Sequence, residues 1–137
     1  MLVLTAFSDE RPLSGLSGLV DWRLGGVLSD WLINGFATGR ANERVLYPSQ
    51  GRLSQRFVLW IGLGPRAQHR ADRARAAAAA AATAVANLGF DSMVCGSFGL
   101  DSLSAPLERS LPELITSLQE TPGMKVTRFA VNIHDSN

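Results

Sequence analysis

The chain opens with Leu2 to Phe7 (LVLTAF), a β-propensity run closed by the turn-like Ser8-Asp9-Glu10-Arg11-Pro12, and this predicts a first strand. From Leu19 the apolar positions Leu19, Val20, Leu24, Val27, Leu28, Trp31 and Leu32 recur at three- and four-residue spacing. That spacing predicts a one-faced helix, with Asn34-Gly35 as its stop. Inside it lies the pair Gly25-Gly26, each glycine costing roughly 1 kcal/mol relative to alanine in a helix interior. Two readings explain the pair. Either the helix begins near Gly26 and the glycines belong to a ligand loop, or the helix is continuous and the glycines allow close packing on a neighbouring strand.

Val45 to Pro48 is a short apolar run ended by a proline, followed by the turn residues Ser49 to Arg52, and reads as a short strand or edge hairpin. Phe57 to Gly64 is continuously apolar, the mark of a strand covered on both faces. Pro65 then predicts the start of a long helix through Leu88, with seven successive alanines at Ala76 to Ala82 and Gly89 as the stop. Ser92 to Cys95 reads as another buried strand and Gly96 to Ser104 as a loop. Pro106 to Glu120 follows as a helix and Val126 to Ile133 as a last strand. Helices of this length cross over between parallel neighbours, so the order predicts a three-layer α/β/α domain. With 137 residues and no low-complexity linker, residues 1–137 are expected to form a single domain.

Composition narrows the function classes. The chain is 46% apolar and 18% charged, has no apolar run long enough to span a bilayer, and lacks a signal peptide's basic start, so a cytoplasmic protein without membrane contact is expected. Cys95 is the sole cysteine, which leaves no disulfide and no cysteine-based zinc site. His69 and His134 are not spaced as metal ligands, and the aspartates, Asp21 among them, are scattered singly as cap or surface candidates. No metal and no cofactor is expected. The net charge of +1, without basic residues interleaved with aromatics, argues against nucleic acid.

Two turns after buried strands are candidate ligand loops. In Gly62-Leu63-Gly64-Pro65-Arg66 the glycines permit close backbone approach to an anion at a helix start, and Arg66, Arg70 and Arg73, at i, i+4 and i+7, would extend the site. Gly96-Ser97-Phe98-Gly99 is a loop of the kind that wraps a diphosphate. Ser97 is not set in Gly-x-Ser-x-Gly, so it is not expected to be a nucleophile and no catalytic residue is assigned. Trp22, Trp31 and Trp60 read as core or interface anchors.

Taken together, GLVDWRLGGVLSDWL, FATGRANERVLYP, GRL and RFVLWIGLG resemble the amino-terminal domain of M17 leucyl aminopeptidases over about residues 10 to 90. That domain is related in fold to macro domains. The second half, with its alanine helix, Ser92 to Cys95, Gly96 to Gly99, the helix from Pro106 and Val126 to Ile133, resembles one as well. The resemblance implies a macro-like, mixed but mostly parallel sheet and favours the continuous helix through Gly25-Gly26. The sequence has no counterpart of the family's catalytic domain and its two-metal site, so peptidase activity is not expected of it. Thr5 to Asp9 stand where a macro domain carries asparagines for ribose contact, which argues against ADP-ribose hydrolysis. What the resemblance implies is a non-catalytic domain acting in protein association or regulation. Its partner would be itself or a separate aminopeptidase-like subunit, with Trp22, Trp31 and Phe36 as interface anchors. The alternative is a module in which Gly25, Gly26, Gly62, Gly64, Arg66 and Gly96 to Gly99 converge on ADP-ribose or another phosphate-bearing nucleotide.

Overall fold

Alternation along the strands explains the architecture. In the computed structural model, which describes residues 1–103, 107–122, 124 and 126–129, Leu2–Ala6 (β1) and Phe57–Gly62 (β3) pair in parallel, Leu2 opposite Val58 and Ala6 opposite Gly62. Met1, Val3, Leu59 and Ile61 enter one buried cluster, and Leu2, Leu4, Ala6, Val58 and Trp60 enter a second one on the other face. A strand with two covered faces has no solvent side to carry polar residues, which is why these runs are continuously apolar.

The first cluster is closed by helix α3 (Ala71–Asn87) and by α4 (Leu107–Gln119), the second by α1 (Gly15–Arg23) and α2 (Val27–Asn34). These layers flank a five-stranded sheet of order β2-β3-β1-β4-β5, completed by β2 (Arg44–Pro48), β4 (Ser92–Cys95) and β5 (Val126–Phe129). Only β2 runs antiparallel to its neighbour; β1, β3, β4 and β5 are parallel. The predicted α/β/α arrangement with a mixed, mostly parallel sheet is therefore observed. On the edge strand β2, Val45 and Tyr47 pack on the α1–α2 side while Arg44, Leu46 and Pro48 are exposed. Ala74, Ala78, Ala81, Ala82 and Val85 of α3 are fully buried, because methyl-sized side chains let the helix axis lie close to the sheet. No helix among the described residues is long and apolar enough to cross a membrane.

Two elements differ from expectation. The predicted continuous helix from Leu19 is two helices, broken at Gly25-Gly26, where both glycines are left-handed (φ 72° and 85°). The N–H of Gly26 donates to the carbonyl of Asp21 at 2.8 Å and that of Gly25 to Trp22 at 3.2 Å, a Schellman ending that only residues tolerant of positive φ sustain. The helix expected from Pro65 is instead a single 3₁₀ turn at Arg66–Gln68, and α3 starts only at Ala71. His69 and Arg70 are extended because the His69 ring is buried under the Gly96–Gly99 loop, a tertiary contact that overrides the proline start signal. Arg66, Arg70 and Arg73 consequently share no helix face. Residues 130–133 of the predicted last strand lie outside the described residues.

Candidate functional site

The parallel strands deliver their carboxyl ends to a cleft of about 240 Å³. Its walls are Val3 to Thr5 and Phe7, Glu10, the start of α1 from Ser14 to Ser17, Leu63, Arg66, and Gly96 to Gly99 with Asp101 and Ser102. Of the predicted ligand residues, Arg66, Gly96, Ser97, Phe98 and Gly99 meet here. Gly25, Gly26, Gly62 and Gly64 are not in its walls. Gly25 and Gly26 end α1, and a Cβ on Gly25 would come 3.1 Å from the Arg52 guanidinium. Gly62 and Gly64 face the protein's own loop: a Cβ on Gly62 would lie 1.9 Å from the Arg40 carbonyl oxygen, and the Gly64 N–H donates to the Gly39 carbonyl at 2.8 Å. That loop is held by Glu43, whose carboxylate accepts the N–H groups of Thr38 and Gly39, the Thr38 hydroxyl and the Trp60 indole N–H. Burial acts to raise the Glu43 pKa, but these hydrogen bonds outweigh it and hold the carboxyl below its usual range.

Most of the polar side chains of the cleft are hydrogen-bonded within the protein. Glu10 is buried, and its carboxylate accepts the N–H of Phe7 at 3.2 Å and both the N–H and the hydroxyl of Ser14 at 2.9 Å. Ser97 donates its hydroxyl to Asp101 at 2.9 Å, and Ser102 donates to the Gly99 carbonyl at 2.7 Å. Arg66 lays its guanidinium 4.7 Å above the Phe7 ring, and its backbone N–H donates to Asp9 at 3.1 Å. Two carboxylates and one stacked arginine thus line a cleft smaller than the roughly 300–1,000 Å³ of typical small-molecule sites. Among the described residues no three His, Cys, Asp or Glu side chains are grouped to hold a metal ion. Cys95 faces the α3 core, where burial pushes its thiol up to about 12.

The outer face of the α1–α2 layer has a different character. Leu19 and Trp22 on α1 are 63% and 80% exposed, and Ile33 and Phe36 at the end of α2 are 83% and 64% exposed. Trp31 is half-buried beneath this face, its ring 5.6 Å from Phe36, 5.3 Å from Tyr47 and 6.1 Å from Trp60. Trp22 and Phe36 therefore stand in solvent while Trp31 braces Phe36 from below. Leu19 escaped sequence reasoning because an apolar residue at helical spacing reads as core, and Ile33 because it falls outside that spacing. Glu10 escaped because a lone carboxylate in a turn carries no spacing signal.

Sheet order, layers and a cleft at the strands' carboxyl edge define a macro-domain-like α/β/α protein. The Trypanosoma brucei macrodomain superposes with a TM-score of 0.72 at 16% identity, covering 98% of this chain and 56% of that one. The macrodomain of Thermus aquaticus DarG gives 0.68 at 12% identity, over 93% and 87% of the two chains. A mutant of tomato leucine aminopeptidase gives 0.68 at 16% identity; the match covers 95% of this chain but only 29% of the aminopeptidase. No curated protein sequence matches the chain. The family model described as "Cytosol aminopeptidase family, N-terminal domain" matches residues 3–121, and the chain belongs to that family.

Proposed function

We propose that this domain acts by protein association, binding a second copy of itself or a separate aminopeptidase-like subunit through the outer face of α1 and α2, without catalysis of its own. The observation that carries the reading is the exposure of Leu19, Trp22, Ile33 and Phe36 on one helical layer. Four of the six large apolar side chains exposed among the described residues belong to α1, α2 and the turn after them, and apolar surface gathered on one layer marks a site that another molecule covers. Burying such a side chain contributes about 1.5–3 kcal/mol, and the association is to be measured at protein concentrations up to about hundreds of micromolar. The soluble, non-membrane character expected from the sequence suits such a role, and a cytoplasmic location is part of the proposal.

Light scattering across that range tests it. The wild-type mass is expected to rise above the monomer with concentration, alone or with an aminopeptidase-like subunit added, and a Trp22→Ser, Ile33→Ser, Phe36→Ser triple variant with unchanged circular dichroism is expected to remain monomeric. A strict wild-type monomer that also fails to bind the subunit would sink the reading.

The second reading, a macro-like module for ADP-ribose or another phosphate-bearing nucleotide, draws on the Gly96–Gly99 loop lining the cleft. Glu10 and Asp101 in the same walls oppose it. Calorimetric titration with ADP-ribose is expected to give no heat; saturable binding would move the assignment to this second reading.

A further inference from the structure

Among the described residues, the one buried side-chain polar atom without a hydrogen-bond partner is Nδ1 of His69. The residue is 5% exposed, and its ring meets Phe7 edge-on at 5.0 Å. Its Nε2 lies 2.9 Å from the Phe98 carbonyl oxygen. A carbonyl only accepts, so Nε2 carries the proton and Nδ1 is a bare lone pair sealed from water. The carbonyl in question belongs to a strained residue: Phe98 has φ 54°, and Gly99 after it has φ 82°. A Cβ on Gly99 would stand 2.8 Å from both His69 Nε2 and the Phe7 ring, so imidazole, turn and strand end are fitted without slack. Phe7, Phe98 and Gly99 are also walls of the cleft.

We propose that His69 is a proton-operated latch on the Gly96–Ser102 loop: the neutral imidazole pins the Phe98 turn against the end of β1, and protonation releases the loop and opens the cleft. The proton enters at Nδ1, the only free lone pair of the ring. The N–H it creates finds no acceptor in the closed position, and the imidazolium there is stripped of water, so the charged ring is stable only swung out to solvent. Its departure removes the donor from the Phe98 carbonyl, and with it a contact that holds Phe98 in the left-handed region.

Burial, rather than the surrounding charges, sets the sign of release. Burial most strongly lowers the His69 pKa; the Phe98 carbonyl opposes, Arg73 of α3 lowers it further, and Asp101 of the loop and Asp72 of α3 raise it. At the end of β1, Arg66 is stacked on Phe7, Asp9 accepts the Arg66 N–H, and Glu10 accepts the Phe7 N–H. Because the closed pKa lies below that of a free imidazole, the open state binds more protons. Closure is complete above the ordinary imidazole range and is lost as pH falls below it.

Amide hydrogen exchange on the full chain, corrected for intrinsic rates and read at about pH 7.5 and about pH 5, tests the latch. The Gly96–Ser102 amides are expected to open several-fold more at the lower pH while β1 and β3 stay protected, and the ring nitrogen shifts are expected to report the Nε2–H tautomer at neutral pH. His69→Gln, which keeps a donor without a titrating group, is expected to stay closed at both. Equal loop protection in the wild type at the two pH values, or the same pH response in His69→Gln, overturns the proposal. Should the variant not fold, ring titration of the wild type decides: a pKa at or above that of an exposed histidine, or one that the loop amides do not follow, overturns it.

Discussion

Asp21 belongs to α1 yet caps α2. Its side chain, buried between the helices, accepts the N–H groups of Leu28 and Ser29 at 2.8 and 3.1 Å and also holds the Ser29 hydroxyl. These are the second and third amides of α2, and Gly26, the residue before that helix, has no side chain with which to cap them. The sequence marks Asp21 as a cap candidate correctly, but spacing alone assigns it to no helix, since its partners lie seven and eight residues ahead across a break. Removing it strands one buried and one half-buried amide donor, so Asp21→Ala is expected to destabilise the domain by about 2–3 kcal/mol, and Asp21→Asn, which keeps one acceptor oxygen, by about half that. Urea denaturation of the two variants beside the wild type measures the difference. Equal losses in both would show that charge at the α2 start, rather than hydrogen bonding, is what Asp21 supplies.

At the level of elements, three glycine sites that look alike in sequence answer to different forces. Gly25 and Gly26 are needed for backbone conformation, both being left-handed, and a Cβ on Gly26 meets nothing within 4 Å. Gly62 is needed for space, because its Cβ would overlap the Arg40 carbonyl oxygen. Gly26→Ala is accordingly expected to cost about 1–2 kcal/mol, the price of one left-handed alanine. Gly62→Ala is expected to cost at least about 3 kcal/mol or to abolish cooperative unfolding, since carbonyl backbone does not yield as a side chain does. Chemical denaturation ranks them, and a Gly62→Ala protein as stable as Gly26→Ala would mean that the loop at Gly39–Arg40 is free to move. The helix break itself is hidden from periodicity. Leu24, Leu28 and Leu32 reach the same buried cluster on either side of it, so the apolar spacing of one long helix and of two short ones is the same. The late start of α3 is equally hidden, because it depends on His69 meeting a loop 29 residues further on.

For the molecule as a whole, the legible part is what local chemistry dictates. Strands with both faces covered read as unbroken apolar runs, helices long enough to cross over enforce parallel pairing, and the alanines of α3 announce close packing on the sheet. What sequence leaves open is where exposed and buried apolar residues part company, as Ile33 and Leu32 do although they are chain neighbours. This division determines how the proposed association responds to salt. With a formal net charge of +1, two copies feel almost no long-range repulsion for salt to screen, and the face offered by Leu19, Trp22, Ile33 and Phe36 is joined by removal of apolar surface from water. Association measured by light scattering is therefore expected to change less than about twofold between roughly 0.05 and 0.5 M sodium chloride, and to strengthen in ammonium sulfate, whose exclusion from protein surfaces favours apolar burial. Twelve arginines are spread over the chain, so an interface built on them has the opposite signature, weakening steeply as salt screens it. A tenfold or greater loss of affinity across the sodium chloride range would place the contact on arginines and not on the apolar side chains Leu19, Trp22, Ile33 and Phe36.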